Sequence, residues 1–411
     1  MTVATVFVWL AFLCPIASLA LPRALAPLMA AGAVAVAILL WREKRMPPLA
    51  VAPAALLGAL VAWGLVTLFW SLEPARGLVT AGKLGFLFAG GLLLAGAAAT
   101  LGPDDRRRIG TALCIGAFAA LALLGEEMLT GGALSRPVRG AAGAARYEPF
   151  QFNAATTVLA VLIWPALIAL RTRWGTRACA AGLAAGLAVL TTTESTTGAI
   201  AAAVGALAAG WGLFGRSCAP VRRIAAGCVI AALVAVPAYS VGVKTVDEGK
   251  VPSYTVSSML HRLHIWDFAA AKIREKPVFG WGLEASRSIP GGHAPRPPPA
   301  GRTVAESIAD SYRAQLMPLH PHNAGLQVWL ELGVPGILLF GGFLVWLLRA
   351  MGRRALPGPL PCLCLAQFAS AFTIAELSYG AWQSWWVAAL ALACALTIAV
   401  LPAEAESPGS G

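Results

Sequence analysis

The sequence predicts an all-α polytopic membrane protein: about twelve transmembrane helices, with one large hydrophilic loop between helices 9 and 10. Three observations predict it. Apolar residues make up 58% of the 411 residues and charged residues only 12%, with a mean hydropathy of +0.73, whereas soluble domains carry roughly 25% charge. Twelve stretches approach the ~20 mostly apolar residues that a bilayer-crossing helix needs. Lys and Arg crowd into alternate loops. Together these exclude a soluble globular enzyme, a disordered chain and a collagen. The net charge of +12 could suggest nucleic acid, but its distribution is a topology signal, so no nucleic-acid partner is expected.

The spans run approximately 3–22, 24–41, 48–70, 83–101, 109–129, 152–170, 178–193, 196–215, 224–242, 323–348, 359–377 and 381–401. The first lacks a basic n-region and reads as a retained helix rather than a signal peptide. With a cytoplasmic N-terminus, the inner loops hold Arg42, Lys44 and Arg45; Arg106 to Arg108; Arg171, Arg173 and Arg177; Arg216, Arg222 and Arg223; and Arg349, Arg353 and Arg354. The short outer loops hold only Arg23, Arg76, Lys83, Arg136, Arg139 and Arg146. That bias orients the chain by the positive-inside rule. It divides into 1–242 (helices 1–9), 243–322 (the outer loop), 323–401 (helices 10–12) and a cytoplasmic tail, 402–411.

The loop carries all five histidines, His261, His264, His293, His320 and His322, and none of the eight cysteines. No disulfide framework or CxxC motif is therefore expected in it. His261-x-x-His264 and His320-x-His322 have possible ligand spacings, but no HExxH motif or nearby Cys completes a site, so no metal is expected. Ser257 caps a helix to about Ile273, with Met259, Leu263, Trp266, Ala270 and Ile273 at helical spacing. This amphipathic helix could lie on the membrane surface. Pro277, Gly280 and Gly282 end it, and 288–302 reads as an irregular loop.

Polar groups inside membrane spans are costly and are functional candidates. Asn323, Gln327 and Glu331 recur every four residues on one face of span ten, directly after His320-Pro321-His322. The helix start also suits an anion. The plainer reading makes Asn323 an N-cap, the histidines interfacial and Glu331 the partner of an Arg. Arg262 and Trp266 stand one turn apart on the loop helix, where a guanidinium binds phosphate and an indole shelves sugar; the alternative is a surface helix with an interfacial Trp. Arg136, Arg139 and Arg146 oppose the positive-inside rule. An external anion explains them, as does pairing with Glu126 or Glu127. Glu194 and Ser195, with Glu376, Tyr379 and Gln383, fall on the same outer side. This asymmetry suits an externally presented, lipid-borne, anionic substrate.

At these residues the chain resembles the O-antigen ligase / O-antigen polymerase superfamily of bacterial membrane glycosyltransferases. HPHNAGLQVWLELGVPG at 320–336 carries the resemblance most strongly. HRLHIWDFAAAKIREKPVFGWG at 261–282, FWSLEPARGLVTAGK at 69–83 and the stretch leading to Asn153 are similar as well. The resemblance implies a metal-independent enzyme of the inner membrane, without cofactors, whose site faces the periplasm. It implies a glycan donor on undecaprenyl pyrophosphate and a lipid A–core or other glycan acceptor, or repeat-unit joining in the polymerases. Carried over, the diphosphate-binding Arg falls on Arg262 and the acceptor-side His on His322. The family often has an Arg after Ser at the start of span eight. Here the run is Glu194-Ser195-Thr196-Thr197-Gly198, so a second cation would come from Arg139 or Arg146. The expected site is thus His322, then His320, as base; Glu331 or Glu194 to orient it or bind sugar; and Arg262, Trp266, Arg139, Arg146, Asn323 and Gln327 for substrate. A protein O-oligosaccharyltransferase is an alternative within the class. A transporter of polysaccharide or lipid-linked sugar is the alternative outside it, and would need access from both sides.

Overall fold

A computed structural model describes residues 1–133, 149–234, 257–295 and 315–402. Among them the architecture is all-helical: α1 (Val3–Ala20), α2 (Leu25–Arg42), α3 (Val51–Val66), α4 (Pro74–Ala99), α5 (Pro103–Thr130), α6 (Asn153–Leu190), α7 (Thr196–Leu213), α8 (Ala219–Val234), α9 (Ser257–Glu275), α10 (Ala324–Arg353), α11 (Leu360–Leu377) and α12 (Ser384–Val400). Nine described segments are long and apolar enough to cross a membrane; α12 is apolar but shorter. Arg139 and Arg146, and the rest of the Arg136–Glu148 stretch, lie outside the described residues.

Spans six and seven are the two halves of α6, which meet at a kink. Its 38 residues would extend about 57 Å as a single rod, nearly twice the bilayer core. Gly175 breaks it, with φ 84° and ψ −171°. Beyond the break, a Cβ on Gly182 would lie 2.6 Å from Leu170, and one on Gly186 would overlap Ile163. These pairs are nearly symmetric about Gly175, so the two halves fold back on each other. The Gly182-Leu-Ala-Ala-Gly186 spacing allows that close approach.

Helices α4 and α5 begin earlier than hydropathy predicts, at Pro74 and Pro103 rather than 83 and 109. Proline at the first helical position lacks only an N–H that would be unpaired there, so both helices absorb their charged residues into opening turns. Arg106 is one of these, and it is buried. Its guanidinium donates to the carbonyls of Leu101 (2.9 Å), Ala99 (3.1 Å), Ile398 (2.6 Å) and Leu401 (2.8 Å). One side chain thereby satisfies the orphan carbonyls ending α4 and α12. Other basic loops gather at this end. Arg173 bonds Thr111, and Arg222 crosses over Gly352.

The loop helix α9 forms where predicted, with one face packed into the protein. Ile265, Ala269, Ala270 and Ile273 are buried with Trp281, Ala285, Ile289, Met317, Leu326 and Leu330. Its apolar face is spent on the protein, chiefly on α10, because burial against packed side chains removes it from water as fully as lipid would.

Span ten is not one uninterrupted helix. Gly333 adopts φ 64° and ψ −158°, and Pro335 two residues later has no N–H for the Glu331 carbonyl. The loop supplies what is lost. Trp281 N donates to Leu330 O (2.9 Å) and Gly282 N to Glu331 O (2.8 Å). Val334 N donates to Val278 O at 2.9 Å. Trp63 of α3 donates its indole N–H to Leu332 O at 2.7 Å. Gly280 (φ 68°) and Gly282 (φ 93°) make the approach possible, since a Cβ on Gly280 would lie 2.5 Å from Glu331 O and one on Gly282 2.4 Å from Ser71 Cα. The GWG run and the ELGVPG run are two halves of one joint.

A Gly333→Ala substitution is expected to disrupt this joint. It places a Cβ against Val278 O in a left-handed backbone, which alone costs about 1–2 kcal/mol before the clash is counted. A clear fall in the thermal midpoint and in the yield of monodisperse detergent-solubilised protein is expected; an unchanged midpoint would show that the break is not required.

Candidate active site

The site sits at the end of the bundle opposite Arg106, where α4 and α12 begin and α3 and α11 end. Asn323 caps α10, its Oδ1 accepting from Leu326 N at 2.8 Å, as its position predicts. Glu376 of α11 faces that first turn beside Gly325. Gln327 is buried and used on both sides. Its Nε2 donates to Glu331 Oε1 (3.1 Å), and its Oε1 accepts from Ala381 N (2.8 Å).

Glu331 is fully buried. Its Oε2 accepts from Glu284 N (2.6 Å) and Trp382 Nε1 (2.7 Å). Its Oε1 accepts from Ser286 Oγ (2.5 Å) as well as Gln327. Four donors from the loop, α10 and the α11–α12 connection converge on one carboxylate. The expected orientation of a histidine by Glu331 is absent among its bonds; its partners make it a tie between segments. Three more contacts anchor the loop to the start of α4. Ser71 Oγ donates to Leu283 O (2.8 Å), Thr80 Oγ1 to Glu284 Oε1 (2.9 Å), and Ser288 bonds Glu73.

On this platform stands the His-Pro-His turn. Trp266 Nε1 donates to Pro321 O at 2.9 Å, so this indole holds the turn from α9. His322 has φ 56°, an uncommon conformation for a side chain of its size. Its Nδ1 lies 2.5 Å from Ser378 O. A carbonyl can only accept, so Nδ1 carries the proton and Nε2 keeps a lone pair. Burial pushes this imidazole down to about 4; the Ser378 carbonyl opposes the fall, and the charges of Arg262 and His261 add to it. The ring is neutral at pH 7. His320, 5% exposed, packs tilted against His322, with 4.3 Å between ring centroids and 52° between planes. Its Nδ1 accepts from His322 N at 3.2 Å, and its Nε2 lies 3.2 Å from Gln383 Nε2. Burial, then His322 and Arg287, hold it well below the ordinary histidine value.

Arg262 is half-buried on α9, and its charge is felt at both His322 and Tyr379. The Tyr379 hydroxyl lies 2.8 Å from Thr157 Oγ1. Glu194 is exposed in the turn before α7, and none of the hydrogen bonds described here reaches its side chain. His261 donates toward Gln315 O at 3.0 Å. Among the described residues no three His, Cys, Asp or Glu cluster as metal ligands.

A cavity of about 540 Å³ is lined by Arg76, Thr80, Lys83, Arg287, His320 and Trp382 among others. Sequence reading did not select Arg76, Lys83, Arg287, Ser286 or Trp382. The available signal was Arg76 and Lys83 standing in an outer loop, inside the stretch 69–83 that carries part of the resemblance.

Residues 179–341, which contain α9, the His-Pro-His turn and the Gly333 joint, match the O-antigen ligase family. The resemblance to the O-antigen ligase superfamily is borne out. A protein named as a polysaccharide ligase in Rickettsia conorii is 34% identical over 133 residues, 32% of this chain and 30% of its own length. One of the same name from Rickettsia typhi is 33% identical over 136 residues, again 32% of this chain and 30% of the relative. The aligned stretch spans less than a third of the length of these relatives.

Glu331→Gln tests the tie. An amide replaces two accepting oxygens with one and sets N–H against N–H, leaving buried donors unpaired at about 1–3 kcal/mol. A lower thermal midpoint is expected; wild-type stability would mean the four bonds are dispensable.

Proposed function

We propose that this chain is a glycan transferase of the O-antigen ligase type, working at the outer face of a bacterial inner membrane. The donor is a glycan on undecaprenyl diphosphate and the acceptor a lipid A–core or other sugar hydroxyl. One observation carries the reading: His322 is held with Nδ1–H on the Ser378 carbonyl, which leaves its proton-accepting lone pair on Nε2, and the ring feels the charge of Arg262. The distribution of basic loops supports the orientation.

The acceptor hydroxyl attacks the anomeric carbon of the donor. As the new C–O bond forms, the bond to the diphosphate oxygen breaks and the diphosphate departs with the electron pair. Nε2 of His322 takes the hydroxyl proton. Arg262 stands where negative charge develops. A single displacement inverts the anomeric centre. Trp266, Asn323, Gln327 and Glu331 are positioning residues, holding the turn that carries the imidazole. Arg139 and Arg146 are second candidates for the leaving group. A ligase is favoured over a polymerase by the matched family and the names of the relatives. Deleting the gene is expected to leave finished polymer on its lipid carrier; single repeat units would instead indicate a polymerase.

His322→Ala, expressed at the wild-type level, is expected to lower transfer by about 10²–10⁴-fold, the usual contribution of a general base. Arg262→Ala is expected to impair it as well. Full activity in both variants would end the assignment.

The pH profile follows from the depressed imidazole. Its base form persists below pH 6.5 and is lost as pH falls toward about 4, so the acid limb of kcat/KM is expected well below the ordinary histidine value. The unfolded chain binds the proton near 6.5 and the folded chain only near 4, so stability falls as pH drops through that window. An acid limb centred at 6.5 would contradict the buried geometry.

A further inference from the structure

The cavity of about 540 Å³ is lined by His320, and Arg262 is not among its lining residues. The cations therefore form two poles, and the transferase mechanism uses only one. Arg76, Lys83 and Arg287 line the second, with Glu284 as the acidic group among the lining residues. Glu284 is engaged by Arg287 at 3.1 Å and by Thr80. Glu73, outside the lining, stands 3.9 Å from Arg76. Lys83 pairs with no acidic group among the described residues. Thr80, Gln383, Ser384 and Trp382 add hydrogen-bonding and aromatic surface.

The face of α4 that carries the cations continues as apolar surface. Arg76, Val79, Lys83 and Phe86 recur at helical spacing; Val79 is 54% exposed and Phe86 51%. Positive charge at the mouth and exposed hydrocarbon one turn deeper match a phosphorylated head group with its lipid alongside. We propose that this cavity is a second substrate pocket that binds a phosphate or diphosphate ester through Arg76, Lys83 and Arg287. The proposal rests on the transferase reading only in naming the sources of that group: the isoprenoid diphosphate of the donor, or a phosphorylated sugar of the acceptor.

The test is calorimetric binding by full-length, detergent-solubilised Arg262→Ala protein, in which the first pole is removed. The probes are farnesyl diphosphate, glucose 6-phosphate and farnesol. At least one phosphate probe is expected to bind. The added substitutions Arg76→Gln, Lys83→Gln and Arg287→Gln should weaken it by about tenfold or more, as lost charge-assisted hydrogen bonds do. The charge-keeping set Arg76→Lys, Lys83→Arg and Arg287→Lys should bind far more tightly than the Gln set. Preference for farnesyl diphosphate supports the pocket and assigns it to the donor; preference for glucose 6-phosphate supports it and assigns it to the acceptor. Binding of neither phosphate probe, equal affinity in the Gln variant, or farnesol binding as tightly as its diphosphate overturns the proposal. If the triple variant does not elute as folded protein, the single variants at exposed Arg76 and Lys83 carry the comparison. Envelope glycans left unchanged by deleting the gene would sink the transferase reading and leave this binding result standing, so the two failures are distinct.

Discussion

The broken helix at Gly333 is the constraint on which the rest of this end of the protein depends. Interrupting a helix frees backbone carbonyls, and buried carbonyls without partners are costly. Here the free acceptors recruit a loop. Leu330 and Glu331 take the amides of Trp281 and Gly282, and Leu332 takes the Trp63 indole. The Glu331 carboxylate then collects Glu284, Ser286, Trp382 and Gln327. Backbone and side chain of one residue hold the loop, α10 and the start of α12 in fixed relation.

The proposed chemistry rests on that fixity. His322 is useful as a base only if its ring presents Nε2, and this is decided by Ser378 O at Nδ1. Ser378 follows α11, His322 precedes α10, and Trp266 reaches the turn from α9. The geometry belongs to three segments far apart in the chain. Burial keeps the imidazole neutral, and nearby Arg262 makes its protonation harder still. A base shielded from premature protonation within the field of a cation is suited to moving a proton off an alcohol while an anion departs.

The opposite end works by a different economy. The basic loops there are legible as orientation signals, yet Arg106 is also a structural cap for the ends of α4 and α12. A charge count alone cannot separate these roles, since both place a cation near the membrane boundary. Glycines divide in a similar way. Gly182 and Gly186 serve close helix approach, whereas Gly280, Gly282 and Gly333 supply left-handed backbone at one joint.

The sequence by itself determined the helical membrane class, the positions of nearly all the spans, the loop helix and the importance of residues 320–336. Those follow from hydropathy and periodicity, which are local. It also singled out His322, Arg262, Trp266, Asn323, Gln327 and Glu331, because polar groups in apolar surroundings are conspicuous. Only the tertiary structure decided what each one touches. Glu331 became a tie between segments rather than a histidine's partner, α9 buried one face against the protein, and Arg76, Lys83 and Arg287 met in one cavity across more than 200 residues of chain. Spacing along a helix fixes which residues share a face, but the partner facing them comes from long-range packing, and no local pattern encodes it.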